Sequence, residues 1–108
     1  MVAITDKLAI IYVPCASNEE AKSIASKLVR EKLAACVNIY QTTSMYIWKG
    51  EMEAQPESVM FVKTSTSKVQ SAIKRIKELH SYDVPAILSW EVQSHNRDYS
   101  DWAENQLK

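Results

Sequence analysis

Residues 35–50 read ACVNIYQTTSMYIWKG and residues 51–65 read EMEAQPESVMFVKTS, and this stretch decides the fold. Both halves are rich in β-branched and aromatic residues, which suit a pleated, half-buried surface. Because the halves flank the turn residue Gly50, they predict a β-hairpin. Each arm is far longer than a usual strand of about 5–6 residues. Such a hairpin outruns the sheet of a small domain and leaves an exposed edge, so we expect the chain to pair with copies of itself.

The composition disfavours several classes of function. A length of 108 residues predicts one domain, residues 1–108. Lysine plus arginine and aspartate plus glutamate both number 13, and no basic block is present, so binding to nucleic acid is disfavoured. The single glycine excludes a glycine-rich phosphate loop.

The sequence also predicts a cytoplasmic location. It has no apolar run of membrane-spanning length, so we expect no membrane partner. The opening residues MVAITDK are too polar for a targeting signal. Two cysteines without secretory features indicate free thiols rather than a disulfide framework.

The segments before the hairpin read as a strand and a helix. Residues 8–13 are a short apolar run that ends at Pro14, which predicts a first strand. Ser17 and Glu20 have the spacing of a capping box. The apolar residues that follow recur at helical spacing and predict a helix that ends near Ala34.

The segments after the hairpin repeat this alternation. The side chains of residues 65–67 are good N-caps for a second helix. Pro85 bars its continuation, residues 86–92 predict the last main strand, and residues 97–108 predict a short amphipathic helix. Pro56 marks an edge or a bulge in the returning arm of the hairpin. The order β-α-β-β-α-β predicts an α+β fold, a ferredoxin-like antiparallel sheet with both helices on one face.

This topology predicts which residues share an end of the sheet. Cys15, the connection 80–85 and the hairpin tip 48–50 are expected at one end. Cys36 and residues 63–64 are expected at the other end. Because a sheet is roughly 17–20 Å deep along its strands, the two cysteines of one chain should not form a disulfide.

Cys15 and His80 form the main candidate for chemistry. Cys15 lies just before the start of the first helix, where the partial positive charge favours a thiolate. With His80 at the same end, a Cys–His pair for a soft or borderline metal is predicted. The alternatives are a buried Cys15 and a His80 that only closes its helix. A Cys–His nucleophile is a further alternative, with Asp83 as a weak orienting group.

Other residues have weaker functional readings. Cys36 opens a strand and is expected to serve packing first. Lys63 and Glu57 are expected to face a groove between neighbouring hairpins, with a plain surface pair as the alternative. Several aromatic residues either line a pocket or serve packing, which is the commoner role: Tyr46, Trp48, Tyr82, Trp90 and Trp102.

Five short motifs together resemble the CutA family, the divalent-cation tolerance proteins. They occur in the order and spacing of that family over the greater part of the chain. The motifs are Ala35-Cys-Val-Asn38, Ser44-x-Tyr46-x-Trp48-x-Gly50, Lys63-Thr64, His80-x-Tyr82-x-x-Pro85 and Asn96-x-x-Tyr99-x-x-Trp102.

The resemblance implies a homotrimer of ferredoxin-like subunits whose long hairpins pair edge to edge. It also implies binding of divalent copper and copper tolerance without an enzymatic reaction. Cys15 and His80 match the metal-ligand positions, and Cys36 is a further candidate. The implied pocket between subunits contains Tyr46, Trp48, Lys63, Tyr82 and Trp102.

The sequence is also compatible with two other functions. By fold analogy, PII-type signalling proteins suggest a small-molecule sensor that binds a carboxylate or other small anion between subunits. A trimeric scaffold for protein contacts is a third hypothesis.

Two places depart from the family pattern. Residues 40–43 replace the usual Pro-Gly bend, and Ala86 replaces a usual Glu, which removes a carboxylate near any pocket between subunits.

Overall fold

The computed structural model describes residues 7–108, so the prediction about the polar start of the chain lies largely outside the described residues. A short 3₁₀ turn, Thr66–Lys68, precedes the second helix. No helix within residues 7–108 combines the length and the apolar character that a membrane span requires. The elements are β1 (Leu8–Cys15), α1 (Asn18–Arg30), β2 (Cys36–Trp48), β3 (Glu51–Ser65), α2 (Val69–Leu79), β4 (Leu88–Val92) and α3 (Arg97–Gln106).

The four strands form one antiparallel sheet in the order β2-β3-β1-β4. This order and the positions of the helices confirm the predicted ferredoxin-like arrangement. Side chains alternate across β1, and those on one face pack with α1 and α2 in the main core, which includes Ile11, Val13, Leu28 and Ile76. On the other face, α3 covers one end of the sheet through a smaller cluster of Leu8, Ala35, Ala103 and Leu107.

The hairpin is longer than the sheet that supports it, as predicted. β2 has 13 residues and β3 has 15, whereas β1 has 8 and pairs with β3 only as far as Ser58. Beyond that point β2 and β3 continue alone as a two-stranded ribbon, residues 42–57. The ribbon makes the molecule long, with extents of 55 × 25 × 21 Å.

The length of the ribbon corrects the predicted position of the hairpin tip. Residues 48–50 point towards the same end of the sheet as Cys15 but do not lie beside it. Seven further residue pairs, from Thr42↔Glu57 to Trp48↔Glu51, separate the tip from the end of β1. At about 3.4 Å per residue, that distance is roughly 24 Å.

The ribbon exposes large apolar side chains on both of its faces. Met45, Ile47 and Met52 share one face, and Tyr46 and Trp48 share the other, with exposures between 45% and 67%. Exposed large apolar side chains of this kind are typical of a surface that another chain covers.

Several element boundaries differ from those predicted. Pro14 lies inside β1, where its missing N–H is tolerated because β4 pairs with β1 only from Leu8 to Tyr12. Pro56 pairs with Thr43 in a continuous register, so it marks an edge and not a bulge. β2 likewise runs through residues 40–43 without interruption.

The helix and strand starts in the second half of the chain also differ. Ser65 precedes the 3₁₀ turn and Lys68 precedes α2, and neither caps its helix through its side chain. β4 begins at Leu88, two residues later than predicted, because pairing with β1 begins only there.

The two-residue turn at Lys49 and Gly50 gives a test of the hairpin. Both residues have positive φ, 51° and 79°, as the type I′ turn of a tight hairpin requires. No atom lies within 4 Å of a β-carbon placed on Gly50, so Gly50→Ala introduces backbone strain without a clash. We expect it to lower the free energy of unfolding by about 1 kcal/mol in urea titrations at fixed protein concentration. Lys49→Gly, the matched control, should not destabilise the protein. A Gly50→Ala variant as stable as the wild type would contradict this account of the turn.

Candidate metal site

Three side chains that metals bind converge where β1 ends, α1 begins and α2 ends. One ligand atom each from Cys15, Glu20 and His80 lies within 4.8 Å of the others. The structure therefore brings Cys15 and His80 together, as the topology predicted. Sequence reasoning gave Glu20 only a capping role and missed it as a third member. Its position in the first turn of α1, close behind Cys15, was the signal that could have revealed it.

Both ring nitrogens of His80 are engaged. Nε2 lies 2.7 Å from the carbonyl oxygen of Pro14, which can only accept, so Nε2 carries the proton and donates it. In the neutral ring Nδ1 is then an acceptor, and it receives the backbone N–H of Tyr82 at 3.0 Å. The backbone N–H of His80 also donates to the carbonyl of Ile76 at the end of α2. That bond does not involve the ring, so the interaction of a His80 cation with the helix dipole stays a prediction.

Glu20 ties the start of α1 to the segment after α2. Its Oε1 accepts the backbone N–H of Ala16 at 3.0 Å, and its Oε2 accepts that of Ser81 at 2.9 Å. Ser17 makes its half of the predicted capping box by accepting the N–H of Glu20, whereas the Glu20 carboxylate accepts the N–H of Ala16, one residue before the cap. Burial alone would raise the pKa of Glu20, but the hydrogen bonds from Ser81 and Ala16 outweigh it and the pKa is lowered. Glu20 is therefore a carboxylate with both oxygens already bonded.

Cys15 is a protonated thiol, contrary to the prediction that the helix start favours a thiolate. Its side chain is fully buried, and burial, with Glu20 and Glu57 adding to it, raises its pKa to about 12. Desolvation and two nearby carboxylates outweigh the partial positive charge of α1. This also weakens the Cys–His nucleophile hypothesis, because Nε2 of His80 carries a proton and the lone pair of Nδ1 already accepts the backbone N–H of Tyr82.

A second carboxylate lies on the outer side of the cluster. The Tyr82 hydroxyl donates to Glu57 Oε2 at 2.8 Å, and the Ser44 hydroxyl donates to Glu57 Oε1. Burial, followed by the bond to Glu57, raises the pKa of Tyr82 to about 12, so the phenol remains a donor. The rings of His80 and Tyr82 are in contact, with centroids 4.8 Å apart.

Cys36 is not part of this cluster. It pairs with Lys63 at the opposite end of the sheet, and both cysteines are free, as predicted. The surface pair of Lys63 and Glu57, the alternative to a groove between hairpins, does not form, because the two residues lie six positions apart on β3. That they face such a groove stays a prediction. Lys63 instead lies over the ring of Tyr99, with Nζ 5.8 Å from the centroid.

The five residues predicted to line a pocket between subunits lie in three separate places within one chain. Tyr46 and Trp48 are on the ribbon, and Tyr82 is beside the metal cluster. Lys63 and Trp102 are at the α3 end, where the Trp102 ring stacks on Tyr99. One subunit therefore does not assemble this pocket.

The donor types of the cluster fit a metal ion. Thiolate, imidazole and carboxylate together suit a soft or borderline ion such as copper or zinc. Each oxygen of Glu20 keeps a lone pair beyond the N–H that it accepts. Binding would require Cys15 to lose its proton and His80 to give up one of its two ring hydrogen bonds.

Relatives of known family match almost the whole chain. A protein from Thermus thermophilus, "Divalent-cation tolerance protein CutA", is 43% identical over 98 residues, 90% of this chain and 93% of its own. The protein of the same name from Archaeoglobus fulgidus is 37% identical over 91% of this chain and 96% of its own. "Protein CutA homolog" from Xenopus laevis is 38% identical, and the match spans 66% of that longer protein.

Solved structures agree with these relatives. Divalent ion tolerance protein CutA1 from Ehrlichia chaffeensis superimposes with a TM-score of 0.92 at 30% identity, over 96% of this chain and 98% of its own. The Archaeoglobus structure, described as a periplasmic divalent cation tolerance protein, gives a TM-score of 0.88 at 36% identity over 94% and 99%. The family model described as "CutA1 divalent ion tolerance protein" matches residues 9–106. The chain therefore belongs to the CutA1 divalent ion tolerance family.

Proposed function

We propose that this protein is a homotrimer that binds a divalent metal ion, copper in the first place, and catalyses no reaction. The proposal that the protein binds a metal ion rests on the ligand atoms of Cys15, Glu20 and His80, which lie within 4.8 Å of one another. Cys36, the further candidate from the sequence, takes no part because it lies at the other end of the sheet. A cytoplasmic location stays a prediction from the sequence.

The state of the cluster argues against catalysis. The thiol of Cys15 is protonated and fully buried, so it is a poor nucleophile. Both ring nitrogens of His80 are engaged, so the ring is not poised as a general base. A bound ion would replace the thiol proton and take up the carboxylate and imidazole lone pairs.

The two free edges of the sheet support assembly into a ring. β2 and β4 are the edge strands, and they run in opposite directions because β2 is parallel to β1 and β4 is antiparallel to it. The β4 of one copy can therefore extend the sheet of the next copy beside β2 without breaking the antiparallel order. Head-to-tail contacts close into a ring when the rotation between copies closes, and the family resemblance implies a ring of three.

The apolar residues near these edges support the same assembly. On the sheet face opposite α1 and α2, Tyr40 is 57% exposed, Leu88 60% and Trp90 45%. Together with the ribbon, they form an apolar surface that a single copy leaves open to water. A second copy added at either edge would cover part of it.

Calorimetric titration with copper(II), and with redox-inert zinc, tests the metal site. We expect Cys15→Ser and His80→Ala each to weaken binding at least tenfold, because even the outer partners of metal ligands are worth about 10–100-fold. Cys36→Ser is the matched control and should bind like the wild type. Equal affinities for wild type, Cys15→Ser and His80→Ala would rule out this site.

The raised pKa of Cys15 gives the same titration a pH dependence. Because the folded pKa is about 12, the thiol is protonated at neutral pH and must release its proton when the metal binds. Affinity should therefore rise by about tenfold per pH unit between neutral pH and pH 9 from this proton alone. The Cys15→Ser variant should lose this part of the slope, and a wild-type affinity independent of pH would contradict the role of the thiol.

Sedimentation equilibrium tests the assembly. We expect micromolar protein to behave as a particle of three times the 12.3 kDa chain mass. Trp90→Lys, which places a charge in the edge strand β4, should shift the protein towards single chains, whereas Lys74→Glu on the exposed surface of α2 should not. A wild-type particle of 12.3 kDa would exclude the trimer.

A further inference from the structure

Three consecutive residues fasten the segment after α2 to three different elements. The segment, residues 80–87, joins α2 to β4 and contains no helix or strand. The three bonds are His80 Nε2–H to the Pro14 carbonyl of β1 at 2.7 Å, Ser81 N–H to Glu20 of α1 at 2.9 Å, and Tyr82 O–H to Glu57 of β3 at 2.8 Å.

This segment lies beside Cys15 through His80, one ligand atom of which is within 4.8 Å of the Cys15 sulfur, and it contains no helix or strand. Cys15 has zero exposure, so neither an ion nor a reagent reaches its sulfur without movement of the protein. The sheet and α1 are held by regular backbone hydrogen bonds. Residues 81–86 contain no helix or strand and are anchored by the three bonds above at one end and by the packing of Ile87 against the main core at the other. Further along the same segment, Val84 is 89% exposed and adds no packing. Segments with few buried contacts open locally at low free-energy cost.

The Tyr82 bond is the outermost of the three and also orients His80. Tyr82 is 37% exposed, while its backbone N–H donates to Nδ1 of His80 at 3.0 Å. Its acceptor, Glu57, lies just beyond the last pair of β1 with β3, at the base of the ribbon. Glu57 also accepts the Ser44 hydroxyl of β2, which fixes the carboxylate on the ribbon. A loss of the Tyr82–Glu57 bond would therefore loosen the His80 ring from its outer side.

We propose that Tyr82 is a positioning residue whose bond to Glu57 keeps the Cys15–His80 site closed and sets how often Cys15 becomes accessible. The relevance of this closure to metal uptake rests on the proposed function, but access to the thiol is measurable without any metal. Because Glu57 belongs to the ribbon, the bond that controls access to Cys15 lies on the part of the chain that a second copy would contact.

Thiol labelling under native conditions tests the proposal. In a Cys36→Ser background Cys15 is the single thiol, and its rate of reaction with a small aromatic disulfide reports local opening. Tyr82→Phe removes the hydroxyl and keeps the ring, so we expect labelling about tenfold faster, as for the loss of one hydrogen bond to a charged group. Tyr12→Phe, on the sheet face opposite the core residues Ile11 and Val13, is the matched control and should label at the wild-type rate.

Two further measurements separate local opening from a general loss of stability. Urea titration of each variant gives the labelling rate that global unfolding alone would cause. Amide hydrogen exchange should show faster exchange of Ser81 and Tyr82 in Tyr82→Phe, with the amides of β1 unchanged. The proposal is overturned if Tyr82→Phe labels at the wild-type rate, or if its acceleration is no larger than its loss of global stability explains.

The metal titrations distinguish this proposal from the proposed function. If Tyr82→Phe labels faster and the wild type binds neither copper nor zinc, the closure stands and the metal-binding function fails. If the metals bind through Cys15 and His80 but labelling is unchanged, the function stands and the closure is wrong. If both hold, stopped-flow mixing should show faster metal association for Tyr82→Phe by a similar factor.

Discussion

The unequal lengths of β1 and β3 are the constraint on which the rest of the structure depends. β3 continues for seven residue pairs beyond the point where β1 stops, so the sheet, which is three strands wide at the end of β1, narrows there to two. On one side of this step lies the exposed ribbon, which needs a partner. At the step itself Cys15 ends β1, and the start of α1 and the end of α2 meet above it. The same mismatch thus creates both the surface for assembly and the enclosed cluster.

The enclosed cluster is stable because every polar group in it has a partner. Both ring nitrogens of His80 and both carboxylate oxygens of Glu20 make hydrogen bonds, and the thiol of Cys15 is protonated. An unpaired buried polar group would cost about 1–3 kcal/mol, so this complete pairing favours the closed form. A metal ion must compete with these bonds and with the thiol proton. The affinity of the site is therefore set by the pairing as much as by the types of ligand.

Much of the fold followed from local patterns. The alternation of strand and helix, the capping box of Ser17 and Glu20, and the long hairpin around Gly50 each rest on residues close in sequence. The predictions that were wrong concern places where distant segments decide. The tip of the hairpin lies far from Cys15, and β4 starts late, because strand pairing fixes both. Cys15 is a thiol because burial by other elements outweighs the local effect of the helix start.

The sequence by itself determined the order of elements, the excess length of the hairpin and the meeting of Cys15 with His80, since connectivity and residue type settle all three. Only the tertiary structure decided that Glu20 joins them, that Tyr82 donates to Glu57, and that both ring nitrogens of His80 make hydrogen bonds. The physical reason is that hydrogen bonds between side chains depend on distances of a few tenths of an ångström. Those distances are set by the packing of α1, α2 and the sheet against one another and by no pattern along the chain.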